Sequence, residues 1–164
     1  VNEEPPWFQT NDMGSVVYAA AAHRRKDKIA AAVSLETIGM YSDAEGSQQY
    51  PAGFKSLYPS KGNFIAFVGD LGSRSLVTRA VRSFRSAVQF PSEGSVAPGA
   101  IPGVGWSDHW SFWQQGYPAI MVTDTAPFRN PNYHRPTDKP DTLDYDRMAR
   151  VVHGLVRVVS DFGK

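Results

Sequence analysis

Three short apolar runs constrain this chain more than anything else in it: Ile29 to Gly39 (IAAAVSLETIG), Asn63 to Gly69 (NFIAFVG) and Pro118 to Thr123 (PAIMVT). Each is too brief for a comfortable helix, and none alternates apolar with polar residues, so each reads as a strand buried on both faces. Segments with helical spacing surround them. Thr10 or Asn11 can cap a helix from about Asp12 to Lys26, with Val16, Val17, Ala20 and Ala21 as its stripe. Ser73 can cap a second through about Ala87, and Ser107 a short third from Asp108 to Gln115, closed by Gly116. A last helix starts near Leu143 after Thr142 and carries Val151, Val152, Leu155, Val158 and Phe162 on one face. Strands alternating with helices predict an α/β fold, a central sheet covered by helices, as one domain over residues 1–164.

The remaining segments read as loops. Residues 41–62 hold Ser, Gly, Pro, Gln and Tyr without helical periodicity, and residues 88–106 are rich in Pro and Gly, with Val88-Gln89-Phe90 as a short strand. A net charge of +1 predicts no attraction to nucleic acid or to an anionic membrane. The absence of cysteine excludes a disulfide framework and any thiolate ligand or nucleophile. No apolar run approaches the length of a membrane span.

Chemistry-bearing residues fall where an open α/β sheet places its sites, beyond the carboxyl ends of strands. Glu3 and Glu4 sit ahead of Pro5-Pro6, which excludes helix locally and pushes Glu4 toward an extended backbone. In an extended chain their side chains face opposite ways, so one can serve a metal and the other a substrate. Glu36 closes the first apolar run, and His134 lies beyond the last. Carboxylate oxygen and imidazole nitrogen are both zinc ligands, and a spare carboxylate beside them can take a proton from a metal-bound water. Plainer roles fit the same residues: a solvated chain end, a salt-bridged Glu36 and a hydrogen-bonded loop histidine. Asp108-His109 is a second candidate pair, for substrate contact or, equally, for a helix cap and a packed ring.

Taken in order, Asn2-Glu3-Glu4-Pro5-Pro6, Asp12-Met13-Gly14-Ser15, Leu35-Glu36-Thr37-Ile38-Gly39, Trp106-Ser107-Asp108-His109, Gly116-Tyr117-Pro118-Ala119 and Tyr133-His134 resemble the M28 family of zinc-dependent aminopeptidases over nearly the whole chain. The resemblance implies a mixed central β-sheet flanked by helices, part of the zinc-exopeptidase fold. It implies Glu3 as general base, Glu4 as a ligand of one zinc, Glu36 and His134 as ligands of the other, and Asp108 and His109 near the substrate. It also implies hydrolysis of N-terminal peptide bonds, a peptide substrate, and a secreted or periplasmic location.

The family's upstream zinc-ligand histidine and metal-bridging aspartate have no counterpart before Glu3, so the chain resembles a C-terminal portion of such a domain. With half the sheet absent, Pro118 to Thr123 is expected to form an open apolar edge. That edge would be covered by a companion N-terminal segment or by self-association. Two other functions share the resemblance: a glutaminyl-cyclase-like acyltransferase, and a non-catalytic scaffold with the same fold.

Overall fold

The computed structural model describes residues 6–163. Its elements run α1 (Gly14–Arg25), β1 (Ala32–Glu36), β2 (Ile65–Gly69), α2 (Arg74–Ala87), β3 (Ser92–Val96), α3 (His109–Trp113), β4 (Ala119–Thr123) and α4 (Tyr145–Phe162). The four strands form one mixed sheet in the order β1-β4-β2-β3. β4 pairs parallel with β1 and antiparallel with β2, and β2 pairs parallel with β3. The fold is therefore α/β with a mixed sheet.

The expected edge is misplaced. β4 carries neighbours on both sides and is buried at every residue, so residues 118–123 are not an open edge. The edges among the described residues are β1 and β3. The physical reason is the antiparallel β2, which joins β4 on the side the sequence reading left bare. β3 was not anticipated either. The strand lies at Ser92–Val96 rather than at Val88–Phe90 because an edge strand with one neighbour can carry polar residues. Gly94 lets β3 approach α2, since a Cβ there would meet Val77 and Val81 at 3.3 Å.

One face of the sheet packs against α2 and α4. Ile65, Phe67, Ile120 and Val122 meet Leu76, Val77, Phe84, Val151, Leu155 and Val158, all buried. These are the apolar stripes legible in the two helices. The opposite face carries Ala66, Val68 and Met121 and is covered by α3 and by loops contributing Tyr50, Phe54, Ala97, Ile101 and Val104. No helix among the described residues is long and apolar enough to cross a membrane.

Several serines and threonines chosen as caps do other work. Ser73 makes no cap bond; its hydroxyl accepts from Trp113 Nε1 and from the Ala119 N–H, both at 3.2 Å, tying α2 to α3 and β4. The Ser107 and Ser34 hydroxyls lie 2.6 Å apart, joining the start of α3 to β1. α4 is capped by Asp144, whose carboxylate accepts from the Arg147 N–H at 2.9 Å, rather than by Thr142.

The α2–α4 contact is tightest at Gly154. A Cβ there would lie 2.4 Å from the Phe84 ring and 2.8 Å from Val88. Alanine in a helix interior gains about 1 kcal/mol of propensity over glycine, whereas overpacking a closed core costs about 1–3 kcal/mol. Gly154→Ala is therefore expected to destabilise the protein in urea denaturation, despite improving the helix.

Candidate active site

Two cross-strand rows define the sheet face opposite α2 and α4. The register aligns Glu36 with Thr123, Thr123 with Ala66 and Ala66 with Glu93; the next row on that face is Ser34, Met121, Val68 and Ser95. Because β1 and β4 are parallel, Glu36 and Thr123 both stand at carboxyl ends, the usual site position in such sheets. A cleft partly open to solvent lies over these rows and is lined by Glu36, Phe64, Met121, Phe128 and Tyr133 among others. A second, more polar cleft runs along β1 and α3, lined by Glu36, Ser107, Asp108 and His109. Glu36 stands on the boundary of both.

The loops that carry these residues are held by Asp124, the first residue after β4. Its carboxylate is buried and accepts four bonds: from Thr37 Oγ1 at 2.7 Å and from the N–H groups of Gly39 at 2.9 Å, Met40 at 2.8 Å and Ala126 at 3.0 Å. The Asp124 N–H in turn donates to the Thr37 carbonyl at 2.8 Å. The residue after Glu36, Thr37, is thereby fixed at φ 49°, a left-handed conformation that a β-branched residue adopts only under such constraint. Arg129 braces the next layer, donating to Gln48 Oε1 at 2.9 Å and to the carbonyls of Met40 at 3.0 Å and Phe64 at 2.8 Å. Burial pushes its guanidinium down to about 10, opposed by the charge of Asp124, and it stays protonated at neutral pH. In the sequence Asp124 directly follows the apolar run Pro118 to Thr123. The signal was there: a carboxylate closing an apolar strand needs donors or a cation, the argument already applied to Glu36.

The expected site residues are only partly gathered. Glu3 and Glu4 lie outside the described residues. Glu36 is half-buried at the end of β1, and His134 sits on the 130–135 turn at φ 57°, its ring stacked on Tyr133 at 3.9 Å. Among the described residues no group of three His, Cys, Asp or Glu side chains could hold a metal ion. Zinc needs at least three protein ligands, so the described donors do not by themselves complete a zinc site. Asp108 has a buried Oδ1 without a hydrogen-bond partner among the described residues. His109 is 1% exposed, its Nε2 lies 2.7 Å from the Val104 carbonyl, and its ring packs edge-on against Trp113 at 4.5 Å.

Two measurements test this framework. Asp124→Ala strips the acceptor from three loop N–H donors, each costing about 1–3 kcal/mol when left buried and unpaired; a loss of at least about 3 kcal/mol is expected in urea denaturation. Burial pushes the His109 imidazole down to about 4, although the Val104 carbonyl and Asp108 act to raise it. The unfolded chain binds that proton near pH 6.5, so the neutral ring's contribution is complete above about pH 6.5 and is lost as pH falls toward 4. The drop is about 3 kcal/mol, and His109→Gln should flatten that segment of the stability–pH curve.

Comparison with known proteins bears on the family and the fold. YfbL, an uncharacterized protein of Escherichia coli, is 42% identical over 159 residues, covering 96% of this chain and 48% of YfbL. The chain thus spans about half the length of the curated relative it matches. Among solved structures, the LapA aminopeptidase of Legionella pneumophila superposes with a TM-score of 0.66 at 20% identity, over 92% of this chain and 35% of LapA. LapB of the same organism gives 0.68 at 17% identity, over 92% and 36%. An aminopeptidase from Aneurinibacillus sp. gives 0.52 at 23% identity, over 87% and 29%. These similarities place the fold among aminopeptidase structures. The model of peptidase family M28 matches residues 11–159, and the chain belongs to that family.

Proposed function

We propose that this chain forms the substrate-cleft portion of a zinc-dependent aminopeptidase. The observation that carries the reading is the position of Glu36. It closes a strand of an M28 fold, at the junction of an apolar cleft able to take a side chain and a polar cleft able to take charged groups. An exopeptidase acting at a free N-terminus requires that combination: one recess for the terminal side chain and polar groups for the ammonium and the scissile amide.

In this reading Glu4 would hold one zinc and Glu36 with His134 the other, and the metal would supply an activated water and polarise the scissile carbonyl. Glu3 takes the water's proton and returns it to the leaving amine. Asp108 faces the polar cleft with its buried, unpaired Oδ1 and contacts the substrate. His109 supports it from behind, with its ring held by Val104 and Trp113. Asp124 positions Glu36 through Thr37 and does not touch substrate. A companion segment pairing with the sheet would use β1, whose outer side has no strand among the described residues.

Aminoacyl-nitroanilide hydrolysis by the full-length protein, read beside its zinc content, tests the assignment. Glu3→Gln should lower kcat at least a hundredfold with zinc retained, and His134→Ala should lower the zinc content itself. A protein that binds no zinc and shows no zinc-dependent thermal shift would instead be a non-catalytic member of the fold.

A further inference from the structure

We propose that Glu93 is the specificity-determining carboxylate of the apolar cleft and receives the cationic side chain of an N-terminal lysine or arginine. The inference rests on the aminopeptidase reading and goes beyond it by naming the class of side chain.

Glu93 stands at the far end of the row that begins with Glu36, on the same face of the sheet. Glu36 and Glu93 are the two charged side chains that line the cleft among the described residues. Between them the floor is Thr123 and Ala66, small enough to leave a channel. The two strand steps from Thr123 to Glu93 span about 10 Å. A lysine or arginine side chain whose backbone lies over Thr123 covers that distance together with the reach of the glutamate. Leucine or alanine stops short of it.

The walls suit a cation. Tyr58 is stacked between Tyr50 and Phe54, with ring centroids 5.9 and 6.1 Å away, and all three line the cleft. Aromatic faces bordering a carboxylate attract an ammonium or guanidinium both through the ring quadrupole and through charge. Tyr58 donates to the Gly94 carbonyl at 3.3 Å, which holds the stack against the strand that carries Glu93. The Glu93 charge also helps hold the Tyr50 phenol up at about 12, after burial as the main cause, so the carboxylate and the stack share one environment.

Glu93 has no hydrogen-bond or ion-pair partner among the described residues, although it is half-buried. Arg129, the nearby cation acting on Tyr50, is outside the cleft lining and committed to Gln48, Met40 and Phe64. A carboxylate in an apolar recess gains most when a ligand brings the opposite charge. An acidic side chain in the same recess is repelled, which sharpens the choice.

The test uses the full-length protein with the arginyl, lysyl, leucyl and glutamyl nitroanilides. The wild type is expected to favour the basic pair in kcat/KM. Glu93→Gln should cut kcat/KM for arginyl and lysyl substrates at least tenfold, chiefly through KM, and leave the leucyl value within threefold. Glu93→Lys should reverse the order in favour of the glutamyl substrate, with thermal unfolding midpoints unchanged in both variants. An arginyl-to-leucyl ratio that survives Glu93→Gln overturns the proposal while leaving the peptidase reading intact. If the wild type hydrolyses none of the four, the peptidase reading fails. Calorimetric titration with L-argininamide and L-leucinamide then decides the cleft alone: preference for argininamide that disappears in Glu93→Gln upholds it, and equal binding overturns it.

Discussion

The candidate site depends on one buried carboxylate immediately after β4. Asp124 collects donors from the loop after β1 and from its own loop after β4, two segments far apart in sequence. Each of those N–H groups would otherwise be buried without an acceptor, so the arrangement is enforced by the cost of leaving them unpaired. What it fixes is the left-handed turn at Thr37 and, with it, the direction in which Glu36 leaves the sheet. The hydrogen bonds are ordinary one by one. Their convergence on a single residue lets a strained backbone persist beside a functional side chain.

The sheet then distributes tasks by alternation. Odd positions of β1 and β2 and even positions of β4 turn toward the helices and the alternate positions toward the cleft, so a single strand serves core and site at once. Ile120 and Val122 seal the helical face, while Met121 and Thr123 floor the cleft. A substitution in β4 is therefore felt on one side only, which keeps packing and recognition separable.

Much of this was legible from residues, and the limits have physical causes. The apolar runs and the stripe of α4 located the sheet and its helical layer; β2 and β4 are buried throughout, whereas β1 lies at an edge, is only partly buried and exposes Leu35. Glu36 was recognisable because a carboxylate ending such a run demands a reason. Asp124 carries the same signal at the end of its own apolar run, but its partners are not legible locally, since two of its N–H donors come from a segment more than eighty residues earlier. β3 was missed because SEGSV, at an edge, lacks the burial that marks its neighbours. The edge was misplaced because strand order is a property of the whole sheet: β4 pairs with β2 in the opposite direction, and no local pattern in PAIMVT reveals that. Ser73 and Ser107 looked like caps, yet their hydroxyls were used for contacts between elements.

The pairing of β1 with β4 also sets the order of assembly. Glu36 faces Thr123 across a sequence separation that takes in β2, α2, β3 and α3. During synthesis from the N-terminus, β1 and its candidate ligand are made early and wait for β4 before they find a neighbour among the described strands. Long-range closure of this kind is slow and leaves apolar strand surface uncovered meanwhile. The Glu36 end of the cleft thus acquires its shape only once β4 has been made, after β2 and β3 have already been able to pair.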